Sequence, residues 1–303
     1  MIVENYTVCP LCNGRQVKFV GTPQISAEVT AFIKEDYKIA KCNSCIFYFV
    51  FPEIKLTQEE WAKLYGKEYF SEIPRWWKNK RKEHRQKRLG FLQEYSTRKV
   101  SKFLDIGCGE GLVLADAKKN GWEVYGVDIY DNRLDIAKNR GISFFKGNID
   151  QASFPDGFFD CIYLDSVLEH LKDPVALLRE ANRILRPGGV LYLGVPNEDS
   201  LFNDARKLIF TTLGRPGISV RTKPFKSPYH VVGFTLRSIK KTLAESGFDI
   251  VRLRNFSGEY EWRKFKLFTR PFFIHFFLLP VYLVAIPLRK RIYIDAIVRK
   301  RIN

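Results

Sequence analysis

The chain has 303 residues, enough for one large domain and a smaller one. Apolar residues make up 46% and charged residues 27%, with 20 Gly and 14 Pro, which excludes collagen-like and low-complexity chains. Lys and Arg number 50 against 33 Asp and Glu, and the net charge of +17 points to polyanionic company: nucleic acid, phosphorylated substrates or an anionic membrane surface.

The first segment, 1–51, reads as short and strand-rich, with two cysteine pairs, Cys9-Pro-Leu-Cys12 and Cys42-Asn-Ser-Cys45. Both are C-x-x-C, a gap that lets two thiolates of one turn point at one ion. Two such turns close a tetrahedral site of four thiolates. The 29 residues between them, 13–41, suffice for a small β-ribbon. A structural Zn2+ on Cys9, Cys12, Cys42 and Cys45 would supply folding energy that so short a segment cannot find in a core. Met1–Tyr6 has no basic stretch and no apolar run follows, so no export signal is expected, and reduced cysteines then point to metal rather than disulfides. The alternatives are four plain thiols or a redox pair, the latter without the βαβ surroundings it needs. Four protein ligands leave no open position, so the ion has no expected catalytic part.

The second segment, 52–101, reads as a basic helical connector. Trp61, Trp76 and Trp77 stand among lysines and arginines, and Arg75–Arg88 holds eight basic residues and one acid, Glu83. The run fits substrate phosphates, an anionic surface or a plain solvated helix face.

The third segment, 102–255, alternates strand and helix patterns. Strands are expected at Lys102–Ile106, Glu123–Asp128, Ser143–Lys146, Phe159–Leu164, Val190–Val195 and Phe248–Leu253. Helices are expected at Leu112–Asn120, stopped by Gly121, at Asn132–Arg140, stopped by Gly141, from Pro174 to Leu185, ended by Pro187-Gly188-Gly189, and at Leu236–Ser246. This alternation means βαβ units and a parallel sheet.

One βα turn carries the chemistry. Phe103-Leu-Asp-Ile-Gly-Cys-Gly-Glu-Gly111 follows a strand and opens a helix. Glycines there let the backbone turn sharply and pass close to a ligand, and the helix N-terminus behind them offers N–H groups to an anion. Asp128 ends the next strand, where a carboxylate can take both hydroxyls of a ribose. A dinucleotide loop of the G-x-G-x-x-G/A type needs a small residue at 112, and this chain has Leu112. The plain alternative is a tight turn, with Asp128 capping the next helix.

Residues 103–111 with Asp128 resemble motifs I and II of the class I S-adenosylmethionine (SAM)-dependent methyltransferases. The likeness continues through Gly147–Asp160, Leu168-Glu-His-Leu-Lys-Asp-Pro174, Leu185-Arg-Pro-Gly-Gly189, Val195-Pro-Asn197, Tyr229-His-Val-Val-Gly-Phe-Thr235 and Ala244–Phe248. It is nearest to the ubiquinone-biosynthesis O-methyltransferase-like branch and covers roughly 100–255. The resemblance implies an α/β fold with a Rossmann-like, seven-stranded, mostly parallel sheet and an antiparallel last strand. It also implies that Asp105 and the Gly107–Gly111 backbone, with Cys108 and Gly109, hold the methionine end of SAM. Asp128 would hold the ribose, with Ile129 against the adenine. Asn148 stands where the family usually has Asp, and its side-chain oxygen can still accept from the adenine amino group; Ile149 follows it. Leu164 and Asp165 would line the methyl-donor mouth. A hydroxyl acceptor needs its proton removed, and His230 and His170 are the candidate bases. His84 and His275 read as bystanders.

The last segment, 256–303, is basic and apolar. Pro271–Leu288 has no Asp, Glu, Lys or Arg over 18 positions. Pro280 and Pro287 are expected to break a helix there. Arg263, Lys264, Lys266 and Arg270 precede the run and Arg289, Lys290 and Arg291 follow it. Cations on both sides fit a segment lying in one leaflet, a peripheral or monotopic attachment to the cytoplasmic membrane face. The alternative is core, lid or dimer interface. Together these features predict a SAM-dependent O-methyltransferase acting on a small amphipathic, sugar or lipid-linked acceptor. Sugar methyltransferases with an N-terminal zinc segment share the layout. The alternatives are an RNA methyltransferase, with ribbon, basic run and tryptophans as a nucleic-acid surface, and a non-catalytic SAM-binding scaffold.

Overall fold

The structure, a computed structural model, describes residues 8–33, 35–65, 75–97, 99–138, 141–215, 217–219, 221–257 and 269–301. Side chains of 75–83 and 270–277 are not among those described. Met1–Tyr6 and the basic residues Arg263, Lys264 and Lys266 lie outside the described residues. The chain groups into two compact units, each discontinuous in sequence.

The first unit comprises Met1–Pro52, Val195–Ile239 and Arg254–Asp295. Its sheet has the order β1-β2-β3-β9, with β1 Val17–Gly21, β2 Lys38–Cys42, β3 Tyr48–Phe51 and β9 Val232–Gly233. All three pairings are antiparallel, and Tyr48 lies opposite Gly233. The first three strands are the ribbon expected from the cysteine spacing. The fourth is a two-residue strand from far along the chain. Phe47 packs edge-on against Phe234 at 5.3 Å, and Tyr37 against Phe225 at 4.9 Å.

The second unit comprises Glu53–Gly194, Lys240–Leu253 and Ala296–Asn303. Before its sheet come α1 Gln58–Leu64 and α2 Arg75–Tyr95. The sheet and its helices then run β4 Lys102–Ile106, α3 Leu112–Lys119, β5 Glu123–Asp128, α4 Asp135–Lys138, β6 Ser143–Lys146, β7 Phe159–Asp165, α5 Pro174–Ile184 and β8 Leu185–Pro196. The remaining elements of the chain are α6 Leu201–Thr212 and α8 Arg270–Ala285, both in the first unit, with α7 Leu236–Glu245, β10 Phe248–Phe256 and β11 Tyr293–Lys300. Sheet order is β10-β11-β8-β7-β4-β5-β6, and the five strands from β8 to β6 pair in parallel. This is the seven-stranded Rossmann-like sheet expected. The inner strands are apolar on both faces because helices cover both. Phe103, Trp122, Cys161, Tyr163 and Tyr192 meet Leu89 and Leu92 of α2 in one buried cluster. Pro174 opens α5 behind Asp173, whose carboxylate accepts the Ala176 N–H at 2.9 Å, a cap that fixes where the helix starts.

The structure departs from the expected elements in four places. The helix expected at Asn132–Arg140 is one turn, Asp135–Lys138; residues 139–140 lie outside the described set. Pro187-Gly188-Gly189 does not stand between helix and strand, because β8 begins at Leu185. Pairing passes from Phe159↔Leu185 to Cys161↔Val190, so Arg186–Gly189 bulge out of the ladder. Pro280 does not break the apolar helix; α8 runs through it and ends before Pro287. Nor is 256–303 wholly a tail. Tyr293–Lys300 forms β11, between β10 and β8, with Ile294, Ile297 and Val298 buried. Those β-branched side chains find a covered face there that the basic residues around them hide in the sequence. Among the described residues, no helix is long and apolar enough to cross a membrane.

Candidate functional site

The ribbon brings its four cysteines together. Cys9 and Cys45 sulfurs lie 3.6 Å apart, as do those of Cys12 and Cys42, and all four lie within 4.8 Å of one another. Sulfurs at the corners of a tetrahedron with Zn–S of about 2.3 Å stand roughly 3.8 Å apart, so the cage fits zinc. Each knuckle closes on itself. The Asn13 N–H bonds the Cys9 carbonyl at 2.9 Å, and the Ile46 N–H bonds the Cys42 carbonyl at 3.0 Å. Contact with the Cys45 sulfur holds the Cys9 thiol low, near pKa 5, and pushes Cys45 up.

The glycine loop joins β4 to α3. Gly107 has φ +71, and a Cβ there would lie 2.5 Å from Val167 Cγ2. Only glycine fits, in conformation and in space. Gly107 and Cys108 N–H groups both bond the Val127 carbonyl, at 2.8 and 3.3 Å, which ties the loop to the end of β5. Asp128 completes the tie. Its carboxylate accepts the Gly109 N–H at 2.8 Å and the Tyr130 N–H at 3.1 Å. Gly111 is the N-cap of α3, in the left-handed region.

Three carboxylates gather at the ends of β4, β5 and β7. Asp105 is buried, and its carboxyl is pushed well above the usual range by desolvation first, then by Asp128 and Asp165. Asp128 is also pushed up, as burial outweighs the backbone N–H groups it accepts. Asp165 is held by Arg88 of α2 and accepts the Tyr163 hydroxyl at 3.2 Å. Arg88 also donates to Tyr163 Oη at 3.1 Å and lies over the Tyr192 ring. Crowded anions of this kind favour a cationic ligand, whose charge relieves the mutual repulsion. SAM carries a sulfonium, an ammonium and two ribose hydroxyls that need acceptors, so the donor set fits it.

A family model described as a methyltransferase domain matches residues 76–253, more than half the chain. The chain belongs to the methyltransferase domain family. Among relatives, an uncharacterized 37.1 kDa protein in transposon TN4556 of Streptomyces fradiae is 38% identical over 33% of this chain and 32% of that protein. The ubiquinone biosynthesis O-methyltransferase of Coxiella burnetii is 30% identical over 37% of this chain and 50% of that protein. The match therefore spans 32% of the length of the first of these relatives and half of the second. Demethylmenaquinone methyltransferase of Staphylococcus aureus is 26% identical over 58% of this chain and 79% of that protein. Among solved structures, a SAM-dependent methyltransferase from Archaeoglobus fulgidus shares the fold at TM-score 0.51 and 20% identity, covering 73% of this chain and 94% of that one.

The remaining residues expected to serve the methyltransferase divide by place. Ile129 follows Asp128 and is half-buried, while Asn148 is exposed and Ile149 buried at the start of a short turn after β6. The Asn148 N–H bonds Gln151 Oε1 at 2.8 Å. Leu164 is fully buried, and Cys108 is buried with its thiol pushed up by desolvation. His170 ends a short turn, Leu168–His170, three residues after Val167 has packed on Gly107. Its Nδ1 is 2.9 Å from the Tyr65 hydroxyl. Tyr65 is held in turn by Asn132, whose Nδ2 donates to its carbonyl at 3.0 Å. His230 belongs to the first unit. Its Nδ1 stands 4.0 Å from Glu198 Oε1.

Sequence reasoning missed Arg88, Tyr65 and Glu198. Arg88 was hidden in the basic run, although Leu89 and Leu92 beside it mark a buried helix face. Arg85 also turns inward, onto Asp116 at 3.1 Å, while Lys87 between the two arginines stays exposed. Glu198 directly follows Val195-Pro-Asn197 and is 3% exposed. Burial pushes its carboxyl up to about 8 against the pull of Arg221, Lys223 and Arg206. A Cβ on Gly233 would lie 2.3 Å from Glu198 Cγ, so glycine there makes room for the acid.

Proposed function

We propose that the protein transfers a methyl group from SAM to a hydroxyl oxygen of a small amphipathic, sugar or lipid-linked acceptor at the cytoplasmic face of a membrane. The observation that carries the donor assignment is the carboxylate cluster of Asp105, Asp128 and Asp165 around a loop that only glycine fits. The oxygen acceptor is supported by the O-methyltransferase among the relatives and by the histidine seated next to that loop.

SAM, when bound, supplies a methyl group activated by its positive sulfur. Asp105 and the Gly107–Gly111 backbone would hold the methionine end, and Asp128 the ribose hydroxyls. Arg88 keeps Asp165 in one orientation. His170 shares its unit with the loop and is the assigned base. In the tautomer that donates Nδ1–H to Tyr65, the Nε2 lone pair would take up the acceptor's hydroxyl proton. General bases of this kind contribute about 10²–10⁴ in rate, and alignment of the two reactants contributes the rest. The zinc ribbon is structural.

Labelled SAM incubated with fractionated native extract tests the reading. Label is expected in an alkali-stable ether in the organic-solvent fraction. His170→Ala is expected to lower that rate by about 10²-fold or more, and Tyr65→Phe by about tenfold, the worth of one hydrogen bond. Both should leave the heat of donor binding intact. Label in RNA would support the nucleic-acid reading instead, and donor binding without transfer to any fraction would support the scaffold.

A further inference from the structure

Two helices of the first unit leave apolar surface facing water. Ser200 caps α6 by accepting the Asn203 N–H at 3.3 Å, yet none of the helix's residues is buried. Leu208, Ile209 and Leu213 at its far end are 66%, 51% and 70% exposed. Helix α8 lies beside it, with the Phe202 and Tyr282 rings 6.4 Å apart. The end of α8 and the turn after it expose Leu283, Val284, Ile286 and Leu288. Large side chains left open on neighbouring helices mark a surface that something covers.

Charge says what covers it. From Ala205 to Ile239, within the first unit, the sequence has seven lysines and arginines and no aspartate or glutamate. The two acids just before that stretch are engaged. Asp204 pairs with Arg221 and, at 3.4 Å, with Lys290, and Asp199 lies 3.9 Å from Lys290. Lys207, Arg215 and Arg289 stand exposed among the apolar side chains. Leu288, Arg289 and Lys290 also wall an open cleft of about 200 Å³ with Arg237, Asn197 and Asp199. A second copy of this chain would bring the same cations against themselves, a like-charge contact that an isologous interface cannot avoid. A neutral apolar partner would leave the cations unmatched. An anionic lipid surface satisfies both halves: acyl chains for the leucines, phosphates for the cations. Helix α8 has 16 residues, so the contact is in the plane of the surface.

We propose that the first unit docks on an anionic phospholipid bilayer through α6, the end of α8 and the turn 286–290. Leu208, Leu213, Leu283 and Leu288 enter the headgroup boundary, and Lys207, Arg215 and Arg289 meet lipid phosphates. The proposal deepens the reading of a membrane-presented acceptor and rests on it for its purpose, not for its test. It also moves the contact, since residues 293–300 are sheet and not lipid anchor.

Flotation of the full chain decides it, with vesicles of phosphatidylcholine alone and vesicles with an equal share of phosphatidylglycerol. Binding is expected to the mixed vesicles only and to weaken as salt is added. Lys207→Gln, Arg215→Gln and Arg289→Gln are each expected to weaken it about fivefold, the worth of one cation near such a surface. Leu208→Glu with Leu283→Glu should abolish it. Zinc content, melting temperature and heat of donor binding, measured on the same variants, should match the wild type. Failure of the wild type to float with either vesicle overturns the docking surface, as does equal flotation of the variants. Dimers that the two glutamates dissolve, in a chain that ignores vesicles, overturn it in favour of a second copy. Loss of donor heat in the wild type would sink the methyltransferase reading and leave the docking result standing.

Discussion

Glu198→Gln should make the protein more stable, and by an amount that depends on pH. The native carboxyl is pushed up from 4.5 to about 8 by burial. The unfolded chain therefore gives up this proton first, and the folded state holds it more tightly. The wild type has its full stability below the unfolded pKa. It loses stability as pH rises toward the folded pKa and loses no more beyond it. At about 1.36 kcal/mol per pH unit, the loss is about 3 kcal/mol at pH 7 and about 5 kcal/mol above pH 8. Glutamine stays neutral throughout, fits the space left by Gly233, and keeps an oxygen for the Asn203 amide, whose Nδ2 lies 3.5 Å from Glu198 Oε2. With an unfolding entropy of about 2.1 cal/mol/K per residue, 3 kcal/mol is a shift of about 5 °C for a chain of this length. Calorimetric melts of both proteins from about pH 5 to about pH 9 give the comparison. Repeating them with His230→Gln in both takes the imidazole 4.0 Å from Glu198 out of the comparison. A gap that stays flat across that range would refute the burial argument for Glu198.

Two further outcomes follow from the metal cage and the loop. Gly107→Ala places a residue at φ +71 at a cost of about 1–2 kcal/mol and drives its Cβ into Val167. Titration calorimetry should show donor binding weakened about tenfold or more, and unchanged binding would mean the loop is not the cradle. Elemental analysis should find one zinc per chain. Chelation should lower the melting temperature and erase the ribbon's strand signal, because metal binding there is folding energy; a chelated protein that melts where the loaded one does would leave the four cysteines as plain thiols.

Local chemistry made much of the candidate site legible. The C-x-x-C gap, the G-x-G-x-G turn after an apolar run and the acid one strand later are short-range patterns, and each dictates its own backbone within a few residues. Alternating strand and helix periods likewise announced the parallel sheet, since hydrophobic period is a property of the segment itself. The misses share a cause too. The helix through Pro280 is tolerated although its local propensity argues against it. Arg88 reads as one more cation in a basic helix until Asp165, 77 residues on, is beside it.

By itself the sequence announced the fold class, the two C-x-x-C knuckles and the glycine turn with an acid one strand later, because each is a short-range pattern. Tertiary structure alone decided that 293–300 is a strand between β10 and β8, that Val232–Gly233 completes the ribbon sheet, and that an acid after Asn197 is buried against a glycine. Those features arise from pairings between residues dozens or hundreds of positions apart. Burial and hydrogen bonding exist there only once the chain has closed on itself, and no local propensity encodes them.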